Sequence, residues 1–425
     1  MTIKTRSRRR GCLIFGLVGL IALLLMICGL FAAVSIKPAL AAEGADLLRT
    51  VFGDEAVAKL EQAVFKVQDA FQRVEYNLGV KRAEAPWQAA TKPAALEIKT
   101  PHPFSPTPTA PRPIGTTTSV SAEALTPTPD AIQQPTRVLA TIPAPTPWQP
   151  APATPLGTLD GEGVWTPYIQ DFTGQVVAYR TFLQPDPQRP YAVVGVVAFD
   201  LGHTRLHYVL GSDEPYSPDS PKRTGKMPAD DLKPGYLLAT FNGGFKATHG
   251  KYGAMADGVI AIPPRDGLAT IGIYKDGIVH LGEWGSEITD SPNLVAWRQN
   301  GPPVVHQGLI NPQIFNNSPK DWGYTVDDVS PTWRSALGIS ADGQSLYFFA
   351  GSKLTMQALA QSMLAAGAVE GLQLDINNYW VHFVAIRTDG TKLFPEPLFP
   401  DTMSENLDRY LHPYTRDFFY VTSAP

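Results

Sequence analysis

Short apolar stretches, each long enough for one β-strand, dominate the second half of the chain and limit the folds it can adopt. Only one segment there, Thr355–Ala366, has the three-and-four spacing of apolar residues that is typical of a helix. The pattern predicts that residues 156–425 form one α+β domain with a mixed sheet and few helices. The predicted strands are Val176–Leu183, Tyr191–Phe199, Arg205–Leu210, Tyr236–Phe241, Ala269–Tyr274, Ser335–Ile339, Leu346–Ala350, Leu372–Asp375 and Val381–Ile386.

Two of the predicted strands end abruptly in small and polar residues. One runs into Asn242-Gly243-Gly244, and the other runs into Asp375 followed by Ile376-Asn377-Asn378. A buried strand that ends in this way delivers backbone N–H groups, an amide or a carboxylate to a cleft at the edge of the sheet. The two segments therefore predict a polar site. Taken singly, each is also compatible with an ordinary turn, because Asn-Gly is a hairpin signal and a strand-end aspartate often caps its own turn.

These segments resemble the phosphodiester glycosidase family, in the order in which that family carries them. The similarity covers roughly Tyr236 to Ile386. Its motifs are the NGGF sequence at 242–245, Gly301–Val305, Trp333–Ile339, Leu354–Ala360 and Leu374-Asp375. The family typically continues after its Leu-Asp with a run of glycines and a serine, whereas this chain continues with Ile376–Trp380. The resemblance implies a glycosidase that acts on phosphodiester-linked sugars, with the carboxylate kept and the glycine-rich cradle replaced.

Three side chains are candidates for catalysis. Asp375 can serve as acid, base or nucleophile at an anomeric carbon. Arg334 lies in a predicted strand, where its planar fork suits either a phosphodiester or a structural ion pair. His249 follows the NGGF motif and can bind phosphate or carry a proton.

Substrate binding is predicted for residues that flank these three and offer amides, backbone N–H groups or a positive charge. They are Asn242, Gly243, Gly244, Lys246, Asn377 and Asn378. A glycine turn lets the backbone approach an anion, and asparagine amides hydrogen-bond sugar hydroxyls. No cofactor is identifiable, because the chain has no HExxH, no Walker loop and no dinucleotide glycine motif. A structural divalent cation is compatible with the sequence, but no spacing identifies its ligands.

The N-terminus predicts a membrane anchor. Residues 1–10 are basic, and residues 11–36 are apolar and long enough to cross a bilayer. The positive-inside rule then predicts a single-pass protein with a cytoplasmic N-terminus and an extracytoplasmic C-terminal domain. The alternative is a cleaved signal peptide, since Ala39-Leu40-Ala41 has the form of a cleavage site. Both cysteines, Cys12 and Cys28, lie in the apolar segment, so the exported part has no disulfide.

Residues 44–82 are predicted to form a juxtamembrane helix. Apolar residues recur in it three and four positions apart, as in the a and d positions of a coiled coil. They are Val57, Leu60, Val64, Val67, Phe71, Val74 and Leu78, which we call the seam. The seam predicts a homodimer through residues 57–78. The alternative is a single amphipathic helix that lies on the membrane or on its own domain.

Residues 83–155 are predicted to be a disordered, extended linker. Seventeen of the 40 prolines lie between Pro86 and Pro155, separated mainly by Thr, Ala and Ser. The net charge of -4 supplies no basic surface for nucleic acid. The sequence thus predicts a membrane-anchored, extracytoplasmic hydrolase of sugar phosphodiesters in wall or exopolysaccharide material, with carbohydrate or sugar-phosphate polymer as partner. The alternative is a non-catalytic domain on a stalk that binds glycan or wall and keeps the fold.

Overall fold

The computed structural model describes residues 44, 48–51, 53–87, 147–316, 322–323 and 330–424. The predicted basic tail and apolar segment lie outside the described residues, and so do residues 88–146 of the predicted linker. Within the described part of the chain, no helix has both the length and the apolar character that a bilayer crossing demands.

In these described ranges, eighteen strands form three sheets. Sheet A contains, from edge to edge, β1 (Thr166–Gln170), β2 (Val176–Leu183), β3 (Val194–Asp200), β14 (Ser345–Leu354), β13 (Thr332–Ser340), β15 (Ala368–Gln373), β11 (Val305–His306) and β12 (Leu309–Ile310). Sheet B contains β17 (Leu393–Pro397), β16 (Phe383–Thr388), β5 (Leu237–Asn242), β18 (Phe418–Ser423) and β4 (Thr204–Val209). Sheet C contains β7 (Val259–Ile262), β6 (Ala254–Ala256), β10 (Leu294–Gln299), β8 (Ala269–Tyr274) and β9 (Val279–Glu283).

The prediction of a mostly β domain with few helices is confirmed, but the prediction of a mixed sheet is wrong. All pairings between these strands are antiparallel. Parallel neighbours need a crossover connection, usually a helix. Among the described residues of the sheet domain there is one α-helix, α2 (Met356–Ala365), capped by Thr355. It carries the chain from β14 over β13 to β15, so both strands are antiparallel to the strand between them.

Sheets A and B pack face to face through aromatic side chains. The ring of Phe348 on β14 lies 5.0 Å from the ring of Phe241 on β5 and 5.0 Å from that of Phe383 on β16. Its neighbours Tyr347 and Phe349 belong to a second cluster, formed with buried residues of α2 on the other face. Side chains alternate between the two faces of a strand. Because sheet A is covered on both faces, β14 is apolar over most of its length instead of alternating.

Helix α1 (Asp54–Asn77) lies within the predicted helical region and contacts the sheet domain through polar and aromatic residues. Asp69 accepts hydrogen bonds from Arg189 at 2.6 and 2.7 Å, and the ring of Tyr76 lies 5.8 Å from that of Tyr191. Val57 is buried, but most of the seam faces solvent. The exposed seam residues are Leu60 (56%), Val67 (64%), Phe71 (63%), Val74 (53%) and Leu78 (73%). The contacts with the domain thus leave an apolar stripe uncovered, and the predicted homodimer stays a prediction.

Strand order brings together the polar strand ends identified in the sequence. Asn242 at the end of β5 pairs with Phe418 at the start of β18. The backbone N–H of Ser335 on β13 donates to the carbonyl of Asp375, just beyond β15. The segments that follow β5, follow β15 and precede β18 therefore meet at one edge of the packed sheets.

Candidate active site

Asp375 lies at this edge with only 5% of its surface exposed. Its Oδ2 accepts a hydrogen bond of 2.6 Å from Nη2 of Arg416, and its Oδ1 accepts from the backbone N–H groups of Ile376 (2.7 Å) and Asn377 (3.2 Å). The hydroxyl of Ser335 donates to the carbonyl of Asp375 at 2.8 Å. Three donors therefore hold the carboxylate in one orientation, and the strand beside it fixes its backbone.

Arg416 is the central residue that sequence reasoning missed. Its Nη2 also donates to the carbonyl of Gly244 at 2.8 Å, and its guanidinium carbon lies 4.5 Å from the ring centre of Trp380. The residue thus joins the NGGF loop, Asp375 and the segment that departs from the family pattern. A signal was present, because Arg416 and Asp417 directly precede the apolar run of β18, the reverse of the strand-end pattern noted earlier.

The side chain of Asn242 links the end of β5 to β13 and to the segment before β16. Its Nδ2 donates to Oγ of Ser335 at 3.0 Å, and its Oδ1 accepts from the backbone N–H of His382 at 3.0 Å. The side chain is 2% exposed, so its amide is occupied by protein groups. Its position at the site is as predicted, but its contacts support the architecture of the loop and leave the amide little capacity for a ligand.

The glycines of the NGGF loop rest on a buried ion pair between Arg298 and Asp417. The side chains of Arg298 and Asp417 are at most 1% exposed, and Nε of Arg298 lies 2.8 Å from Oδ2 of Asp417. The same oxygen accepts from the N–H of Gly244 at 3.2 Å, and Nη2 of Arg298 donates to the carbonyl of Phe245 at 2.6 Å. A Cβ on Gly243 would clash with Asp417, and one on Gly244 would lie 2.8 Å from Nη2 of Arg298. Glycine is required at both positions because the loop packs directly on this pair.

His249 ends the 3₁₀ turn that follows the NGGF loop. Burial, followed by the positive charge of Arg49, lowers the pKa of His249 to about 4; Asp375 opposes this effect, and Arg416 and Lys246 add to it. The imidazole is therefore neutral near pH 7 and can accept a proton. The charges that shift its pKa place it in the electrostatic neighbourhood of Asp375.

Two cations border the ring of Trp380. Besides Arg416, Nζ of Lys246 lies 5.8 Å from the ring centre. Lys246 was a predicted substrate-binding residue, and the structure places it and Arg416 against the same aromatic ring. Two positive charges beside a partly exposed tryptophan suit an anionic group attached to an apolar ring face.

Arg334 contacts backbone carbonyl groups at the edge of the site. It is fully buried, and it donates to the backbone carbonyls of Leu354 (2.8 Å), Trp322 (3.4 Å) and Ser330 (3.3 Å). The sequence analysis expected its planar fork to hold a phosphodiester or an ion-pair partner. In the structure these donors satisfy carbonyl groups around the start of β13 and the end of β14, so the guanidinium organises the backbone at the site edge.

Asn377 and Asn378 fall on different sides of the turn after Asp375. Oδ1 of Asn377 accepts from the N–H of Tyr379 at 2.9 Å and stabilises the turn itself. Asn378 lines a neighbouring cavity of about 220 Å³, together with His382 and residues of the 401–409 segment.

A separate cluster offers metal ligands among the described residues. Ligand atoms of Glu287, His306 and Glu370 all lie within 4.8 Å of one another. Nδ1 of His306 is 2.9 Å from Oε2 of Glu370 and 3.8 Å from Oε2 of Glu287. The three residues are far apart in the sequence, so their spacing could not indicate this cluster.

Comparison with known proteins identifies the central part of the chain. Residues 236–375 match the family model of the phosphodiester glycosidases. The resemblance inferred from the sequence is thus confirmed over this range. The phosphodiester glycosidase match begins just before β5 and ends at Asp375, so it includes the NGGF loop and His249. Trp380 and Arg416, which complete the site, lie beyond it.

Solved structures show more distant likenesses. The catalytic domain of zebrafish N-acetylglucosamine-1-phosphodiester alpha-N-acetylglucosaminidase, auto-inhibited by its pro-peptide, is 15% identical, with 60% of this chain and 86% of that chain covered and a TM-score of 0.36. A hypothetical protein from Synechocystis is 9% identical, with 61% and 64% covered and a TM-score of 0.35. A putative exported protein from Burkholderia pseudomallei is 9% identical, with 55% and 74% covered and a TM-score of 0.26. No curated protein matches the chain.

Proposed function

We propose that the C-terminal domain is a hydrolase of sugar phosphodiesters that cleaves the bond between the anomeric carbon and the phosphate oxygen. The observation that carries the proposal is the buried Asp375–Arg416 pair, whose guanidinium contacts the same Trp380 ring as Lys246. Two cations suit a phosphate, and His249 supplies a base that is unprotonated at neutral pH. The phosphodiester glycosidase match over residues 236–375 supports the same reaction class.

In the proposed reaction, Arg416 and Lys246 bind the phosphate group while His249 accepts a proton from water. The water oxygen bonds to the anomeric carbon as the bond from that carbon to the phosphate oxygen breaks. The products are the free sugar and a phosphate monoester. The leaving oxygen remains on phosphorus, so the site must stabilise negative charge there, and the guanidinium of Arg416 supplies the positive charge that does so.

Asp375 has two tasks in this scheme. Its carboxylate fixes the guanidinium of Arg416 through the 2.6 Å hydrogen bond, and its negative charge favours the positive charge that develops on the sugar ring in the transition state. Its two oxygens already accept three hydrogen bonds. This favours an electrostatic role for Asp375, with His249 as the proton acceptor.

The setting that we propose for this activity is the extracytoplasmic face of a membrane. The apolar segment 11–36 with its basic flank and the proline-rich linker support a single-pass anchor that carries the domain on a stalk. Wall or exopolysaccharide polymers with sugar phosphodiester links are the substrates within reach of such a domain. Proteolysis of intact cells tests the orientation: external protease should release the domain by cutting the linker.

We also propose that the seam on α1 joins two copies of the chain. Its heptad spacing fits a second identical helix, and its exposed side chains form one apolar stripe. A dimer would place two catalytic domains on one pair of stalks, which suits a polymeric substrate because it raises the effective concentration of the second site.

The reaction is tested with the full-length protein in detergent and a panel of methyl diesters of sugar 1-phosphates. Release of reducing sugar by the unmutated protein, and a strong decrease in Asp375→Asn and Arg416→Lys variants that remain folded, would support the hydrolase. The second candidate is a glycan-binding domain, which is favoured by the replacement of the family's glycine run by Ile376–Trp380. Glycan binding without any cleavage of the panel would select that alternative.

A further inference from the structure

The turn after Asp375 separates the candidate active site from a cavity of about 220 Å³. Trp380, on one side of the turn, lies over Arg416, whereas Asn378 and Tyr379 line the cavity. The hydroxyl of Thr332 donates to the carbonyl of Ile376 at 3.4 Å, which ties the turn to β13. The wall between the two spaces is thus the segment in which this chain departs from the family pattern.

His382 is a buried cavity residue with an unused hydrogen-bond acceptor. It is 2% exposed, and its Nε2 lies 3.3 Å from the carbonyl oxygen of Glu405. A carbonyl can only accept, so Nε2 carries the ring proton and Nδ1 presents a lone pair. Burial and the nearby charge of Arg409 keep the pKa of His382 well below its usual value, so the ring is neutral. Among the described residues, none donates to Nδ1.

The other walls favour an uncharged, hydroxyl-rich ligand. Asp401 and Glu405 line the cavity and would repel an anion, but they accept hydrogen bonds from hydroxyls. The guanidinium of Arg409 is partly engaged: Nη1 donates to the carbonyl of Tyr379 at 2.8 Å and the group stacks 4.7 Å from the ring centre of Tyr379, while its buried Nε has no hydrogen-bond partner among the described residues. Trp333 adds an aromatic surface. Small size, aromatic walls and a surplus of acceptors fit one sugar ring.

We propose that this cavity is a subsite for one uncharged sugar ring of the substrate, with a ring hydroxyl donating to Nδ1 of His382. The inference rests on the proposed function, since a substrate whose phosphate lies at Arg416 would reach the cavity across the Asn377–Tyr379 turn. Sugar selection would then depend on the segment that replaced the family's glycine run.

The subsite is tested by titrating full-length protein with methyl α-glucoside and methyl N-acetyl-α-glucosaminide, with inorganic phosphate as the anionic probe. In His382→Gln, the side-chain amide can still donate to Glu405 but the acceptor at the Nδ1 position is lost, so affinity for at least one of the sugars should fall about tenfold. His382→Asn restores an oxygen near the Nδ1 position and should recover most of that affinity. Phosphate affinity should stay unchanged in both variants.

A second pair of variants avoids the buried histidine. Ser404 is exposed at the cavity, so Ser404→Trp should fill it and abolish sugar binding, whereas Ser286→Trp makes the same change at an exposed position outside the lining. Unchanged sugar affinity in both His382→Gln and Ser404→Trp would overturn the subsite; if the His382 variants fail to fold, Ser404→Trp decides alone. Sugar binding that is lost in Ser404→Trp, in a protein that cleaves no phosphodiester, would uphold the subsite and reject the hydrolase. On a cleaved phosphodiester, the same variants should raise KM and leave kcat nearly constant.

Discussion

Nη2 of Arg416 lies 2.6 Å from Oδ2 of Asp375 and joins parts of the chain that are 41 residues apart. Both side chains are 7% exposed, so each charge depends on the other. Removing one partner of a buried pair leaves an uncompensated charge, which destabilises the fold as well as altering the site. Substitutions here must therefore keep the shape of the side chain, and their stability must be measured together with their activity.

Asp375→Asn keeps the shape and one acceptor oxygen but removes the negative charge. In the proposed reaction kcat should fall on the order of 10²-fold or more, because the positive charge on the sugar ring and the guanidinium of Arg416 lose their partner. Steady-state kinetics on a sugar phosphodiester measure the loss. Asp290→Asn, at an exposed position, is the matched control and should change neither rate nor stability. Full activity of the Asp375→Asn enzyme would show that other residues carry out the reaction.

Arginine-to-lysine changes at positions 416 and 334 should have different effects. Arg416→Lys replaces a planar fork by a point charge next to Asp375 and Gly244, so KM for the phosphodiester should rise about tenfold. Arg334→Lys should instead lower the free energy of unfolding, since backbone carbonyls lose donors, while KM stays close to that of the unmutated protein. Denaturant titration and kinetics of both variants test the contrast. A larger increase in KM for Arg334→Lys than for Arg416→Lys would indicate that Arg334 binds the phosphate.

The pH dependence of kcat/KM should follow the protonation of His249. Its pKa is lowered to about 4, so the neutral base is present above that pH and is lost as the pH falls through it. We expect kcat/KM to be level from pH 7 down to about 5 and then to decrease about tenfold per pH unit below 4. Arg49→Met removes a charge that lowers this pKa, so the acidic limb should move to higher pH. A limb that stays in place in Arg49→Met would contradict the electrostatic assignment.

The same shift has a consequence for stability. The folded pKa of His249 is depressed below its usual value near 6.5, so the unfolded chain takes up the proton first as the pH falls. The contribution to stability is complete above about pH 6.5 and is lost progressively between about 6.5 and 4. His249→Gln should remove this part of the pH dependence of unfolding.

The Arg298–Asp417 pair should be the largest electrostatic determinant of stability near the site. Arg298→Met leaves Asp417 buried beside Tyr208 and Gly244, and should cost about 3–5 kcal/mol of unfolding free energy. Lys233→Met breaks an exposed pair with Asp230 and should change that free energy by at most about 0.5 kcal/mol. Urea denaturation of the two variants measures the difference. Equal effects would mean that the buried pair is not what holds the NGGF loop.

The seam should control the oligomeric state. Val67→Asp combined with Phe71→Asp places two charges in the exposed apolar stripe and should convert a dimer into a monomer, as measured by sedimentation of the full-length protein in detergent. Lys66→Asp changes an exposed position outside the seam and should leave the dimer intact. A monomeric unmutated protein at tens of micromolar would favour the lone amphipathic helix.

Half of the eighteen described strands were predicted from their local apolar pattern, and β18, with an equally clear apolar run at its start, was overlooked. All nine predicted strands and the helix after Thr355 are present, because each carries its own run of apolar residues. β10 was missed because Arg298 interrupts its pattern, and only the ion pair with Asp417 makes a buried arginine acceptable there. β11 and β12 have two residues each, which is too short for any periodic signal.

Some residues of the candidate site could likewise be predicted from the sequence, and others could not. The polar ends of β5 and β15 are visible in the sequence, and in the structure Ser335 contacts both Asn242 and Asp375 at one edge. The role of Arg334 was not predictable from local pattern, whereas the polar pair before β18 was a signal for Arg416 that the predictions did not use. Both arginines adjoin apolar strand residues, and nothing in their neighbours along the chain indicates which one turns towards Asp375.

Local sequence pattern located nine strands, the helix after Thr355 and the polar residues that follow β5 and β15, because these features depend on neighbours a few positions apart. The assembled domain was needed to show that the sheets are antiparallel, that Arg334 binds backbone carbonyls and that Arg416 pairs with Asp375. Strand order and ion pairing depend on which distant segments can pack without leaving a buried donor or charge unsatisfied, and that condition is met only when the whole domain is assembled.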